Sequence, residues 1–273
     1  MTAQPEELRA LATDADHQLA AELAAHGAEL LRALRASGID DPDALRKQGD
    51  RRSHELLITE LASRRPGDAV LSEEGKEETA PARLGARRVW IVDPLDGTRE
   101  FGELDRPDWA VHVALVIDGF PVAGAVALPA LGEVWSTATA PARPAPKPAA
   151  TPPRLAVSRT RPGWSASLVE QALGAELVPL GSAGFKALAV VRGVADIYAH
   201  SGGQYEWDSA APVAVALAYG LHASRLDGRP LAYNNPSPYL PDLLIAHPDW
   251  AQPALQAVAG GEPPAGTSPA QGT

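Results

Sequence analysis

Trp90-Ile91-Val92-Asp93-Pro94-Leu95-Asp96-Gly97-Thr98 sets two carboxylates three positions apart where an apolar run meets a glycine turn. The run Val89 to Val92 predicts a buried strand, and Pro94 with Gly97 forces a turn just beyond it. Both Asp side chains and the Leu95 carbonyl between them can then converge on one point. Three hard oxygen ligands from one short loop suit Mg2+, which is usually held by a few carboxylates, water and substrate phosphate. The N–H groups of Gly97 and Thr98 would open whatever helix follows, a position that favours a phosphate. Asp-Pro and Asp-Gly are also ordinary turn dipeptides, so the loop gains meaning only from other parts of the chain.

Two further segments supply it. Leu71-Ser72-Glu73-Glu74-Gly75 follows the short apolar stretch Ala69 to Leu71. Adjacent carboxylates at a strand end point to opposite sides, so one of them, assigned to Glu73, faces a shared metal. Glu74 is left nearer solvent or orienting a water; the plain alternative is a solvated acidic loop continued by Lys76, Glu77 and Glu78. Glu206-Trp207-Asp208-Ser209-Ala210-Ala211-Pro212 opens an Ala/Val-rich run to Tyr219. It reads as a tightly packed helix with Asp208 at its N-cap. Capping alone would explain Asp208, but the same place presents a carboxylate to a metal–phosphate cluster.

Asp50, Glu73-Glu74, Asp93 to Thr98 and Trp207-Asp208 occur in an order that resembles the lithium-sensitive, Mg2+-dependent phosphatases of the inositol monophosphatase superfamily. The resemblance spans about residues 15 to 247. Within that superfamily Thr98-Arg99-Glu100-Phe101 looks like the CysQ-type 3′(2′),5′-bisphosphate nucleotidases, where inositol monophosphatases more often carry Thr-Asn-Phe at the last three of these positions. Gly181-Ser182-Ala183-Gly184-Phe185-Lys186 and Gly202-Gly203-Gln204-Tyr205-Glu206-Trp207-Asp208 are similar to the actinobacterial branch of that group. One departure is Gly220-Leu221, where the family pattern often has Gly-Gly; it falls at a helix C-cap, where a single Gly suffices.

The resemblance implies an α/β fold, a layered α-β-α-β-α sandwich, with two or three Mg2+ per site. It implies that Glu73, Asp93 and the Leu95 carbonyl hold a first metal, that Asp93, Asp96 and Asp208 hold a second, and that a third leans on Glu73. Thr98 and Asp50 are implied as the pair that orients and deprotonates the attacking water, with Glu74 as a further catalytic carboxylate. Asp50 could equally be a helix N-cap before Arg51. Substrate contacts are expected from Asp96, Gly97, Thr98, Ser158, Ser182, Lys186 and Asp208, with Arg99 and Glu100 candidates for shaping a nucleotide pocket. The seven histidines form no ligand-like spacing, and most are read as structural or exposed.

Composition narrows the class further. The chain has 273 residues, 45% apolar and 21% charged, as in ordinary soluble globular proteins. It has no cysteine, so disulfides, thiolate metal sites and a Cys nucleophile are excluded, and a reducing cytoplasmic setting is expected. No signal peptide and no membrane span are expected. A net charge of −10 argues against a nucleic-acid polymer as partner. A small anionic substrate is compatible with that charge once divalent cations occupy the carboxylates.

Helical spacing predicts one long or two shorter helices over about 6–35 and another from about Asp50 to Ser63. Strands are expected near 69–72 and 88–92, separated by a mobile charged loop around Gly75 to Arg87. A hairpin is expected over 110–117 and 121–128 across Asp118-Gly119-Phe120, with a further strand near 133–137. An N-terminal α+β lobe (1–138) is expected to end at an Ala/Pro-rich linker (139–153). Beyond it, strands 154–157, 176–179 and 194–199 alternate with helices 164–173, 184–192 and 208–219 in a C-terminal α/β lobe (154–258), followed by a disordered tail (259–273).

The leading expectation is removal of the 3′-phosphate of 3′-phosphoadenosine 5′-phosphate, and of its phosphosulfate form, with a homodimer as one assembly seen among relatives. The alternatives are an inositol or sugar monophosphatase of the same mechanism, and a non-catalytic nucleotide-binding regulator. A haloacid-dehalogenase-like phosphatase is rejected, because it needs Asp-x-Asp and Asp93 and Asp96 are separated by two residues.

Overall fold

The computed structural model describes residues 5–75, 80–140, 151–259 and 261. Two five-stranded sheets alternate with three helical layers. The first sheet is ordered β1 (Ala69–Ser72), β2 (Arg88–Asp96), β3 (Ala110–Ile117), β4 (Phe120–Leu128), β5 (Glu133–Ser136). The second is ordered β7 (Glu176–Leu180), β6 (Arg154–Ser158), β8 (Ile197–Tyr205), β10 (Tyr239–Ala246), β9 (His222–Ser224).

Strand β2 shows why the layers form. Its residues alternate between two cores, with Trp90 and Val92 facing α2 (Asp14–Arg35) and α3 (Pro42–Arg64), and Val89 and Ile91 facing the middle layer. That middle layer is α7 (Ala183–Val191) and α8 (Glu206–Ala218), which lie between the two sheets. The outer face of the second sheet is covered by α6 (Trp164–Leu173) and α9 (Pro248–Val258). The α-β-α-β-α expectation therefore holds. Leu19, Leu23 and Leu31 of α2 are fully buried, each contributing about 2 kcal/mol of transfer free energy. The Ala-rich run of α8 has a packing reason: a Cβ at Gly124 of β4 would come within 2.9 Å of Ala214.

Several elements differ from expectation. The first helical stretch is two helices, α1 (Pro5–Arg9) and α2, the second opened by a Thr13–Asp16 capping box. Helix α3 begins at Pro42, N-capped by Asp41, so Asp50 is a mid-helix residue and caps nothing. The early start was obscured because the buried positions Leu45, Gly49, Ser53, Leu57 and Leu61 include a glycine and a serine, which weakens the apolar period. Gly49 is needed there, since a Cβ would lie 2.8 Å from both Leu95 and Phe101. Part of the expected charged loop is α4 (Ala80–Leu84), while 76–79 lie outside the described residues.

The Asp118-Gly119 hairpin is present, both residues having positive φ (50° and 80°). Strand β8 starts later than expected and runs on through Gly202 and Gly203, because antiparallel β10 pairs along it. Strands β9 and β10 and helix α9 had no sequence assignment. Helix α5 (Thr98–Gly102) follows β2 directly and leads on to β3. Most of the linker and tail assigned from composition lies outside the described residues. Among the described residues no helix is long and apolar enough to cross a membrane.

Candidate active site

The loop after β2 is built on a register slip. Asp93 pairs with His112 of β3, but Asp96 pairs with Ala110, so the strand is irregular between the two acids. In a regular strand, positions three apart face opposite sides; the bulge turns both carboxylates the same way. The Leu95 N–H donates to Asp93 Oδ1 at 3.0 Å, which holds the turn. Gly97 follows with φ 82°, and any Cβ there would lie 3.0 Å from Ser182, so glycine is required.

Asp208 arrives from α8. It is the third residue of that helix, not the expected N-cap; Tyr205 holds the cap position and donates its N–H to Asp208 at 2.6 Å. Asp93, Asp96 and Asp208 then each place an oxygen within 4.8 Å of the others. Glu73 is an exposed residue in the turn after β1, yet its carboxyl lies near enough to the cluster for the charges of Asp208 and Asp96 to act on it. The charge of Glu74 acts on Asp50 and His54.

The electrostatics follow from crowding four acids in little water. Burial raises Asp93 well above the usual carboxylate range, and the charges of Glu73, Asp96 and Asp208 add to it. Burial likewise raises Glu73, to about 7, helped by Asp208, and raises Asp208, to about 6, helped by Asp96. Asp96 is the exception: burial pushes it up, but His112, the Ser182 hydroxyl and Lys186 pull it below the usual range. It accepts from the Ala183 N–H at 3.0 Å, the Gly184 N–H at 2.6 Å and the Ser182 hydroxyl. The opening turn of α7 is thus already engaged by Asp96.

Beside the cluster, Asp50 and Thr98 meet. The Thr98 hydroxyl lies 3.2 Å from Asp50 Oδ1 and 3.0 Å from the Leu95 carbonyl, and its one proton serves one acceptor at a time. Burial, with the charge of Glu74, pushes Asp50 up to about 6 against the Thr98 hydrogen bond. A carboxylate with that value is suited to take up a proton near neutral pH.

Other expected residues are distributed as follows. A cleft of about 650 Å3 is bordered by Asp96, Asp208, Ser158, Ser182 and Lys186. Ser158 accepts the Arg161 N–H at 3.2 Å, and Ser182 N-caps α7 by accepting the Phe185 N–H at 3.0 Å. Lys186 is buried, not exposed; its ammonium donates to the Gly181 carbonyl at 3.1 Å and to that of Ser182, and burial lowers its pKa. Arg99 and Glu100 do not border the cleft. Glu100 and Glu103 instead pair with Arg159, and Arg99 pairs with Glu103, so this signature braces the loop. Phe101 packs edge-on against Trp109.

His112 was missed. It is fully buried, its Nδ1–H donates to the Trp207 carbonyl at 3.0 Å, and its Nε2 lies 3.1 Å from Asp96. It therefore ties the β2 loop to the start of α8. The signal available was a single titratable residue inside the apolar run Ala110 to Ile117. Gly184 exists to admit it, since a Cβ there would overlap the imidazole.

The donor set fits a hard divalent cation. All donors are oxygens, and of the three acids Asp93 and Asp96 are buried and Asp208 half-buried, with too few counter-charges to neutralise them, which folding tolerates poorly unless a cation is bound.

Residues 5–258 match the inositol monophosphatase family. The chain is 51% identical over 240 residues to a Mycobacterium bovis protein named 3′-phosphoadenosine 5′-phosphate phosphatase, covering 85% of this chain and 88% of that one. It is 31% identical over 189 residues to the Escherichia coli 3′(2′),5′-bisphosphate nucleotidase CysQ, covering 66% of this chain and 76% of that one. The solved structure of CysQ from Bacteroides thetaiotaomicron superposes with a TM-score of 0.72 at 25% identity, over 87% of this chain and 98% of the other. With its layered fold, its bulged Asp93–Asp96 loop and Asp208 converging on it, this chain belongs to the inositol monophosphatase family.

Proposed function

We propose that this chain is a Mg2+-dependent phosphomonoesterase that hydrolyses the 3′-phosphate of 3′-phosphoadenosine 5′-phosphate. The observation that carries the reading is the convergence of Asp93, Asp96 and Asp208, with Asp50–Thr98 alongside, in a chain half identical to proteins named for that activity. Glu73, Asp93, the Leu95 carbonyl, Asp96 and Asp208 would hold Mg2+, and Glu73 supports any weaker, third ion. Bound there, the metal supplies charge neutralisation on the phosphoryl oxygens and acidifies water.

The protein's own groups do the rest. Thr98 orients the attacking water and passes its proton to Asp50, whose raised pKa matches the task. The water oxygen bonds to phosphorus as the bond to the ribose 3′ oxygen breaks. The leaving oxygen takes a proton from solvent, giving adenosine 5′-phosphate and inorganic phosphate. Glu74 keeps Asp50 raised by its charge and stays outside the ligand set. His112 and the start of α7 hold Asp96 in its ionised, correctly turned state.

The test is phosphate release from 3′-phosphoadenosine 5′-phosphate and from inositol 1-phosphate, side by side at saturating Mg2+. A preference of about tenfold or more in kcat/KM for the nucleotide is expected; comparable or reversed rates would overturn the substrate assignment and keep the mechanism.

A further inference from the structure

Helix α3 meets the site through more than Asp50. Gly49, Asp50, Ser53 and His54 share one side of it, in two rows of i,i+4 neighbours, Gly49–Ser53 and Asp50–His54. The first row faces the loop after β2. Gly49 lets Leu95 and Phe101 approach, and the Ser53 hydroxyl donates to the Pro94 carbonyl at 2.7 Å. The second row meets both ligand-bearing turns: Asp50 lies 3.2 Å from the Thr98 hydroxyl, and His54 Nδ1 lies 2.9 Å from the Ser72 hydroxyl at the end of β1. One helix therefore grips the two turns that carry Glu73, Asp93 and Asp96.

Both contacts fall where the sheet gives out. Asp93 pairs with His112 and Asp96 with Ala110, so Pro94 and Leu95 lie in the break between those pairs, and the Pro94 carbonyl takes its hydrogen bond from Ser53. Ser53 is fully buried in a row whose other members include Leu45, Leu57 and Leu61. An apolar side chain would serve packing better at that place; a hydroxyl there serves the loop. Strand β1 ends on Ser72, and Glu73 and Glu74 follow in a turn closed by the Gly75 N–H donating to the Ser72 carbonyl at 2.9 Å. A Cβ at Gly75 would come within 2.9 Å of that carbonyl oxygen, so the turn is tight. Buried Ser72 is thus held at its carbonyl by the turn and at its hydroxyl by His54.

We propose that Ser53 and His54 are positioning residues for the metal site, Ser53 fixing the Asp93–Asp96 loop and His54 fixing the Glu73 turn, so that oxygens from two separate strands can share divalent cations. This assignment rests on the metal-dependent reading of the same carboxylates. Neither residue is itself a ligand. Ser53 acts through Pro94, which joins Asp93 to Leu95, and His54 acts through Ser72, which directly precedes Glu73. Groups that hold ligands in place are worth about 10–100-fold in metal affinity.

Isothermal titration of the full chain with Mg2+ alone tests both contacts. Ser53→Ala and His54→Leu are each expected to weaken Mg2+ binding about tenfold, while His54→Asn, whose amide reaches the place of the imidazole Nδ1, stays within about threefold of the parent. Phosphate release by the first two variants should need about tenfold more Mg2+ for half its maximal rate and return to near the parental kcat once Mg2+ saturates. A bond that served the fold alone would lower the melting temperature and leave Mg2+ affinity unchanged. Ser53→Ala removes one oxygen and His54 is half-buried, so neither change threatens the fold. Mg2+ affinity within about twofold of the parent in Ser53→Ala or His54→Leu, or equal losses in His54→Leu and His54→Asn, overturns the assignment. If the parent hydrolyses 3′-phosphoadenosine 5′-phosphate in that case, the functional reading stands without it. The expected pattern of Mg2+ affinities with no phosphate release by the parent keeps the assignment and overturns the functional reading.

Discussion

Strand β2 carries a buried carboxylate system at each end, and the two are built in opposite ways. At its start, Asp16 is 2% exposed but accepts from Thr13, Arg65 and Arg88, while Asp68 accepts from Arg88 and the Trp90 indole. Burial raises Asp16, but the Thr13 and arginine bonds outweigh it, and its pKa is lowered. At the other end Asp93, Glu73 and Asp208 are raised, by burial first and then by neighbouring carboxylates, Asp96 among them. An acid that stabilises the fold comes with its counter-charges; an acid kept for chemistry waits for a cation from outside.

The sharpest way to break that contrast is Asp93→Asn. It should lower phosphate release by about a thousandfold or more. It should leave the metal-free protein at least as stable, because one uncompensated charge is gone. A variant that keeps activity, or loses both activity and fold, would show that Asp93 belongs with Asp16. Asp50→Asn should cost about 10²–10³-fold in kcat, the usual worth of a general base, with Mg2+ affinity by titration little changed. Loss of metal affinity instead would move Asp50 into the ligand set.

Asp16→Ala tests the opposite end. It takes from Arg65 its carboxylate partner and from Arg88 one of two, and it removes the α2 capping box, so the protein should lose about 2–3 kcal/mol in denaturant unfolding, with activity per folded molecule intact. The arginines are partly exposed, which keeps the loss below that of a fully buried pair.

The smallest effect is a difference in pH slope. For acids whose folded pKa is raised, the unfolded chain releases protons first. In metal-free protein the cluster's contribution is therefore intact below about pH 4 and lost as pH rises to about 7. Asp16, with its lowered pKa, contributes above the unfolded value and loses that contribution as pH falls through its folded one. Melting curves in chelator should fall by a few degrees across the first window, flatten in Asp93→Asn and flatten again with Mg2+. An unchanged slope in Asp93→Asn would mean that the cluster is not the source.

The contrast also explains what was legible beforehand. Asp93, Asp96 and Gly97 lie within one short segment, so local rules sufficed to mark them, and the order of Asp50, Glu73, Asp93 and Asp208 carried the family. The layers were legible because β2 and β3 are apolar on both faces and α2 has a clean helical period. The Arg99-Glu100-Phe101 signature pointed to the right branch for a reason other than the expected one, since its charges brace a loop outside the cleft.

The chain by itself determined the ligand types, the turn that gathers the Asp93 and Asp96 loop, the Asp118-Gly119 hairpin and the layered class, because each depends on residues close in sequence. Tertiary structure alone decided the β2 bulge that aligns two acids three positions apart. It also decided that His112 and the start of α7 would claim Asp96, and that Gln204 would be buried without a partner. These depend on strand register and on helices brought together from distant parts of the chain. Burial, which sets both the pKa values and the unmet hydrogen bonds, exists only once those parts have packed.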